Sequence, residues 1–220
     1  MRQDRCFAFL DLCGFSAYTE ANGDEEAVSV LSMMRSVVRR AADRRGVRVM
    51  KWLGDGVMLT SGDRGAIAAA TLEIRHHLGG ACPLPVRTGI CRGGVIIFDG
   101  DDYVGAVINV AARLCDRAEP GQVLMAEHPD ATVPPWATIE PYGRVEVPGI
   151  RQELTVNEID VRRTPGRAPV VDPVCGLPID PTVAVAPPGE DDERLRCFCS
   201  AGCAEEWARA RRARHVHRVA

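Results

Sequence analysis

The sequence has no apolar run long enough to cross a bilayer. Its longest apolar stretches, such as Val104–Ala112 and Gly93–Phe98, fall far short of the roughly 20 residues a spanning helix needs, so no membrane span is expected. A secretory leader is not expected either. Met1-Arg2-Gln3-Asp4-Arg5 is followed by neither a long apolar run nor a small-residue cleavage site, which makes a cytoplasmic protein the expectation. A strong charge of either sign is also absent. The net charge of -3 offers no general attraction for nucleic acid or anionic lipid, and the locally basic tail Arg209–Arg218 reads as a solvated helix end. Aromatic residues are scarce at 5%, and the stacking positions that a ferredoxin-like RNA binder needs are not there. No internal repeat is visible.

What remains is ordinary globular composition. With 220 residues, 46% hydrophobic and 26% charged, the length suits one medium domain and a small appendix. The nine cysteines form two populations. Cys6, Cys13, Cys82, Cys91 and Cys115 are scattered among apolar segments, where a thiol acts as a small hydrophobe. Cys175, Cys197, Cys199 and Cys203 crowd into one short stretch, which in a reducing compartment favours metal or redox chemistry over structural disulfides.

Cys6–Leu12 reads as a buried strand that opens into a turn at Gly14. From Asp24 to Arg44, Val28, Leu31, Met34, Val38 and Ala41 recur at helical spacing, and Asn22 with Glu25 resembles a capping box at the start. Val47–Leu53 and Val57–Ser61 flank Gly54-Asp55-Gly56, a hairpin with Asp55 near its tip. Ala66–Leu78 is a second amphipathic helix, Pro85–Phe98 a strand, Asp99–Asp102 a turn and Val104–Arg117 a third helix. Pro120-Gly121 stops that helix before a strand at Gln122–Ala126. Short β segments near Thr138–Val147 and Glu153–Ile159 complete the unit. The expected fold class is α+β, a ferredoxin-like split βαβ domain with helices packed on an antiparallel sheet, plus a small cysteine-rich C-terminal module. The expected boundaries are a first domain over 1–162, a Pro/Arg/Gly linker over 163–171, a module over 172–214 and a basic tail over 215–220. The module is too small for a strong core and needs a metal or partner as a staple.

Asp11 closes a strand and Asp55 sits on a hairpin, so two carboxylates can meet at neighbouring strand ends. Paired carboxylates together with a triphosphate are one way proteins hold Mg²⁺ or Mn²⁺. Asn109 and Arg113 stand four apart on a helix and project from one face.

Three segments carry a resemblance. Phe9-Leu10-Asp11-Leu12-Cys13-Gly14-Phe15-Ser16, Lys51-Trp52-Leu53-Gly54-Asp55-Gly56-Val57-Met58 and Asp102-Tyr103-Val104-Gly105-Ala106-Val107-Ile108-Asn109-Val110-Ala111-Ala112-Arg113-Leu114 resemble the signatures of class III adenylyl and guanylyl cyclase catalytic domains. They fall in family order over about residues 5–160. The resemblance implies two Mg²⁺ or Mn²⁺ per active site on Asp11 and Asp55. One ion would acidify the ribose 3′-hydroxyl and the other would neutralise the β- and γ-phosphates. It further implies phosphate binding by backbone N–H groups around Cys13, Gly14, Phe15 and Ser16, ribose orientation by Asn109 and transition-state charge stabilisation by Arg113. Lys51 and Asp102 match the family's base-reading pair. Lys51 only donates and ionised Asp102 only accepts, which suits adenine N1 and N6 and opposes guanine. ATP is therefore the expected substrate. In the family each site is shared across a dimer, so a homodimer is the expected partner state. The stretch from Gly94 to Asp102 is shorter than the clasping arm of many members. A guanylate cyclase, or a degenerate nucleotide-binding or metal-sensing regulator, are the alternatives.

Asp172-Pro173-Val174-Cys175-Gly176-Leu177-Pro178 followed by Cys197-Phe198-Cys199-Ser200-Ala201-Gly202-Cys203 resembles a YHS-type module, related to heavy-metal-binding folds. The resemblance implies Zn²⁺ or Cu⁺ on Cys175, Cys199 and Cys203, thiolates being soft ligands. The fourth ligand is open among Cys197, His215 and His217.

Overall fold

The structure, a computed structural model, describes residues 2–98, 102–128, 132–150, 152–186 and 196–219, with side chains to residue 212. The turn expected at Asp99–Asp102 lies outside the described residues up to Asp102, and so do the side chains of His215 and His217. The chain forms two compact units, Met1–Pro134 with Ile139–Asp160, and Pro135–Thr138 with Val161–Ala220.

The first unit opens with β1 (Arg2–Leu12), followed by α1 (Phe15–Asn22), α2 (Asp24–Arg45), β2 (Arg48–Leu53), β3 (Gly56–Ser61), α3 (Arg64–Ala81) and β4 (Val86–Phe98). These strands stand in the order β2-β3-β1-β4, each neighbour antiparallel, the order of a ferredoxin-like split βαβ. Met34, Val38 and Ala41 of the α2 stripe and Ile67, Ala70, Ile74 and Leu78 on α3 are buried, whereas Val28 is 61% exposed and Leu31 only partly buried, the first turns of α2 facing the core through Ala27 and Val30 instead. The last turn of α2 is tied to α3 through Glu73, whose side chain is 1% exposed and accepts from Arg44 and, at 2.8 Å, from Arg45 Nε. A carboxylate buried so deeply persists because it is paired.

Asn22 does not cap α2. It ends α1, where its Nδ2 donates to Tyr18 O at 2.9 Å, and Gly23 at φ 85° separates the two helices. The negative charge that favours a helix start comes instead from Asp24, Glu25 and Glu26.

The rest of the unit extends the sheet with β5 (Asp102–Val104), α4 (Ala106–Arg117), β6 (Val123–Ala126), β7 (Ala137–Val145) and β8 (Leu154–Val161). The full order is β2-β3-β1-β4-β6-β8-β7, with β5 pairing β4. Helix α4 starts at Ala106 rather than Val104 because Asp102–Val104 ladders onto Phe98–Ile96. The α4 crossover makes β4 and β6 parallel, so the sheet is mixed where an antiparallel one was expected.

Strand parity assigns the faces. Cys6, Ile90 and Ile67 line one small cavity, so α3 covers the even-numbered face of β1. Phe7, Cys91 and Val95 pack with Val107, Val110 and Leu114, so α4 covers the odd-numbered face, the face that bears Asp11. The approach of α4 is close: a Cβ on Gly89 would stand 2.2 Å from both Ala111 O and Cys115 N.

In the second unit, β9 (Val170–Val171) pairs β10 (Pro178–Ile179), a 3-10 turn spans Pro181–Val183, and α5 (Ala201–Val219) follows. Val170 and Val171, read from sequence as linker, are strand residues. Leu177, Ile179, Phe198 and Ala204 form a small core, and the Phe198 and Trp207 rings lie 5.8 Å apart.

The approach of α4 yields a prediction. Gly89→Ala would push helix backbone off the sheet and should lower unfolding free energy by on the order of 3 kcal/mol, read by denaturant melts. Gly93→Ala, whose Cβ would meet Val107 at an ordinary 3.5 Å, should be tolerated. Equal effects would contradict the packing described.

Candidate functional site

Asp11 lies between two cross-strand partners, Gly56 on β3 and Arg87 on β4. Gly54 at φ 67° turns the β2–β3 hairpin. A side chain on Gly56 would meet Leu10 O at 3.1 Å and Asp11 Oδ1 at 3.4 Å, so the glycine leaves space for the carboxylate beside the turn that carries Asp55. Partial burial raises the Asp55 pKa above the ordinary aspartate value, and the Asp11 charge adds to the rise. Its own backbone N–H and Arg87 oppose it.

Arg87 donates to Asp11 Oδ2 from Nη2 at 2.7 Å and from Nε at 3.0 Å, and its Nη1 reaches Asp116 O at 2.9 Å near the end of α4. One guanidinium thus serves a carboxylate and a helix-end carbonyl, both of which favour a cation. Arg87 escaped the sequence reading. Its signal was an arginine inside the otherwise apolar strand Val86-Arg87-Thr88-Gly89-Ile90, where alternation places it on the face of Asp11. The carboxylates of Asp11 and Asp55, on a strand end and the neighbouring hairpin turn, are hard-oxygen donors of the kind that suit Mg²⁺ or Mn²⁺.

Gly14, in the left-handed conformation at φ 77°, leads into α1 with no side-chain cap. The first-turn N–H groups of Phe15, Ser16 and Ala17 have no carbonyl partner within their own helix, a geometry suited to an anion. Cys13 is held below this turn by its N–H to Pro85 O at 2.9 Å.

Lys51 on β2 and Asp102 on β5 meet, Nζ to Oδ2, at 2.6 Å. Asp102 Oδ1 accepts the Tyr103 N–H at 3.0 Å. The Lys51 hydrogen bond first, and the Tyr103 N–H second, hold the Asp102 carboxyl below its ordinary pKa. Lys51 is the sequence's single lysine, every other fixed positive side chain being arginine. On α4, Val107, Val110, Ala111 and Leu114 face the core, which leaves Asn109 and Arg113 exposed. Arg113 Nη1 lies 3.4 Å from Asp116 Oδ2.

In the second unit, Cys175 Sγ and Cys199 Sγ are 3.5 Å apart, and Cys199 Sγ and Cys203 Sγ 3.6 Å. These sulfurs and an Asp172 carboxylate oxygen all lie within 4.8 Å of one another. None of the nine cysteines is in a disulfide. Cys197 is half-buried and stands outside this group, because the chain bends at Cys199 and Ser200 as it enters α5. The fourth group beside the sulfurs is Asp172.

Among solved structures, the adenylyl cyclase CyaB from P. aeruginosa aligns at TM-score 0.63 and 22% identity, covering 74% of this chain and 96% of that one. The guanylyl cyclase Cya2 aligns at TM-score 0.63 and 20% identity, covering 76% and 96%. The first unit has the fold of a nucleotide cyclase catalytic domain. An adenylate cyclase of Streptomyces coelicolor is 30% identical over 118 residues, which is 53% of this chain and 31% of that protein. An uncharacterized protein of Mycobacterium tuberculosis is 33% identical over 132 residues, 60% of this chain and 35% of that protein. The chain therefore spans about a third of the length of the curated relatives it matches. No family model matches it.

A divalent ion taken by Asp11 would have to displace the Arg87 guanidinium from its Oδ2. Arg87→Gln should tighten Mn²⁺ binding by the nucleotide-free protein several-fold, read by the fall of free-Mn²⁺ paramagnetic resonance signal on titration. Weaker binding would show that Arg87 supports the ion site rather than competing for it.

Proposed function

We propose that the chain is an adenylate cyclase that converts ATP to 3′,5′-cyclic AMP and pyrophosphate at sites shared between two copies. The observation that carries this reading is the register that sets Asp11 opposite Gly56, the residue after Asp55, and beside Arg87 at one end of the strands of a sheet with the cyclase fold. In the reaction the ribose 3′-oxygen bonds to the α-phosphorus, the bond from that phosphorus to the β-phosphate bridging oxygen breaks, and pyrophosphate leaves. The hydroxyl proton passes to a phosphate oxygen or solvent. Two Mg²⁺ or Mn²⁺ ions, when bound, acidify the hydroxyl and neutralise the leaving charge.

The chain's residues divide the remaining work. Asp11 and Asp55 hold the ions. Arg87, released from Asp11, turns toward the triphosphate while remaining anchored on the α4 carbonyl. The α1 N-terminus takes phosphate oxygens at Gly14, Phe15 and Ser16. Lys51 donates to adenine N1 and Asp102 accepts from N6, so the two exchange their mutual bond for bonds to the base. Guanine presents the opposite polarity at both positions, and a mispaired polar pair, once the bound base and second copy cover it, rejects a substrate by roughly 10⁴-fold. In a chain whose other cations are arginines, the lone lysine is the compact donor a single ring nitrogen requires.

Asn109 orients the ribose and Arg113 stabilises charge on the transferring phosphoryl group, and these two, with Lys51 and Asp102, act on the site whose Asp11 and Asp55 belong to the other copy. The β4–β5 hairpin supports a second copy: Ile96, Phe98 and Val104 are 54%, 62% and 58% exposed, an apolar cluster that a partner surface would cover. We read residues 172–214 as a YHS-type module in which Cys175, Cys199 and Cys203 hold Zn²⁺ or Cu⁺, and whose metal or thiol state tunes activity. Three close, buried thiols suit such soft ions. No described helix is long and apolar enough to cross a membrane.

Mixing Asp11→Ala with Arg113→Ala tests the shared site. Each variant alone should be inactive, and the mixture should regain up to about a quarter of wild-type cyclic AMP production, since random pairing of two species leaves one intact site in half of the dimers. A silent mixture would contradict sharing. Base reading is tested by lysine-selective acylation, which should modify only Lys51 and the N-terminal amine. ATP with a divalent ion should protect Lys51 and GTP should not; equal protection would refute adenine selection.

A further inference from the structure

Asp172 is fully buried, and its carboxylate joins segments distant in sequence. Oδ1 accepts the N–H groups of Val174 at 2.8 Å and Cys175 at 3.2 Å. Oδ2 accepts the N–H of Cys199 at 2.7 Å. Its main chain closes the same turn, with Asp172 N donating to Leu177 O at 3.0 Å and Gly176 N donating to Asp172 O at 2.8 Å. Cys203 then sits one helical turn beyond Cys199, with its N–H on Ser200 Oγ at 3.3 Å. The three sulfurs therefore converge because one side chain holds the turn of Cys175 against the start of α5. The role calls for acceptors at both oxygens. Asparagine would present an amide N–H₂ to a peptide N–H at one of them.

We propose that Asp172 is the positioning residue of a three-sulfur metal centre: it sets the separation of Cys175 and Cys199 through their peptide N–H groups and stays outside the ion's coordination shell. This rests on the reading of Cys175, Cys199 and Cys203 as metal ligands. Both carboxylate oxygens already accept peptide N–H groups, so the three thiols are the ligands the site offers at least cost, and an all-thiolate shell is the environment that selects a soft monovalent d¹⁰ ion. Outer partners of this kind change metal affinity by about 10–100-fold when replaced.

The test uses the full chain with Cu(I) as the probe, affinity being read by competition with a chromogenic Cu(I) chelator and the shell by X-ray absorption at the copper edge. Wild type should show sulfur scatterers only. Asp172→Asn should bind about 10–100-fold more weakly with the same sulfur-only shell, and its metal-free Cys175 and Cys199 should alkylate faster. Unchanged affinity in Asp172→Asn, or an oxygen scatterer in wild type that the variant lacks, would overturn the positioning role. Cys175→Ser separates the two claims. If it binds Cu(I) as wild type does, the metal-centre reading fails; if it loses the ion while Asp172→Asn keeps full affinity, only the role of Asp172 fails. Should Asp172→Asn not fold, the wild-type spectrum still decides whether the carboxylate is a ligand. Asp172→Glu, which keeps both acceptor oxygens one methylene further out, should then fall between wild type and Cys175→Ser.

Discussion

The register of β1 between β3 and β4 decides where charge gathers in the first unit. Asp11 faces Gly56 on one side and Arg87 on the other, and a shift of one residue would turn the carboxylate to the face covered by α3. Because Gly89 lies two residues beyond Arg87 on the same face, the contact that seats α4 against backbone also brings the helix end to Arg87. One strand register thus links the aspartate pair, its counter-cation and the helix that carries Asn109 and Arg113.

The two units gather opposite kinds of donor. The first sets hard carboxylate oxygens at the strand ends of an interior strand and its neighbouring hairpin, a donor type suited to a hydrated divalent ion. The second collects sulfurs in a small core, where Cys175, Cys199 and Cys203 are each nearly inaccessible. In both, a group that need not touch the ion organises those that would. Arg87 neutralises Asp11, and Asp172 ties together the backbone beneath two cysteines. Among the scattered thiols of the first unit, burial pushes Cys91 and Cys115 up to about 12, far from reactive thiolates at neutral pH.

Much of the fold was legible in the sequence because strong local signals agreed. The Gly54-Asp55-Gly56 turn flanked by apolar runs marks its hairpin, and the stripes of α2, α3 and α4 follow helical periodicity. Local patterns were silent on pairing between distant segments. The three-residue strand Asp102–Val104 was missed, its ends read as the close of a turn and the start of a helix, because only its ladder onto β4 distinguishes it, and the parallel β4–β6 contact likewise depends on topology. Asn22 resembled a cap because spacing alone does not reveal that the preceding residues are already helical. Within the site, Asp11 and Asp55 could be placed together from a strand end and a hairpin. Arg87 and the clamp made by Asp172 act across strands and across a 27-residue separation, which no window of sequence contains.

The proposed conversion of ATP to cyclic AMP by two copies of this chain is tested most directly by the specific activity of the purified full chain with ATP and with GTP across a range of protein concentrations. The account predicts cyclic AMP formation that depends on Mg²⁺ or Mn²⁺, rises in specific activity with concentration as copies associate, and far exceeds cyclic GMP formation. A specific activity independent of dilution down to the monomer, or equal use of GTP, would contradict it.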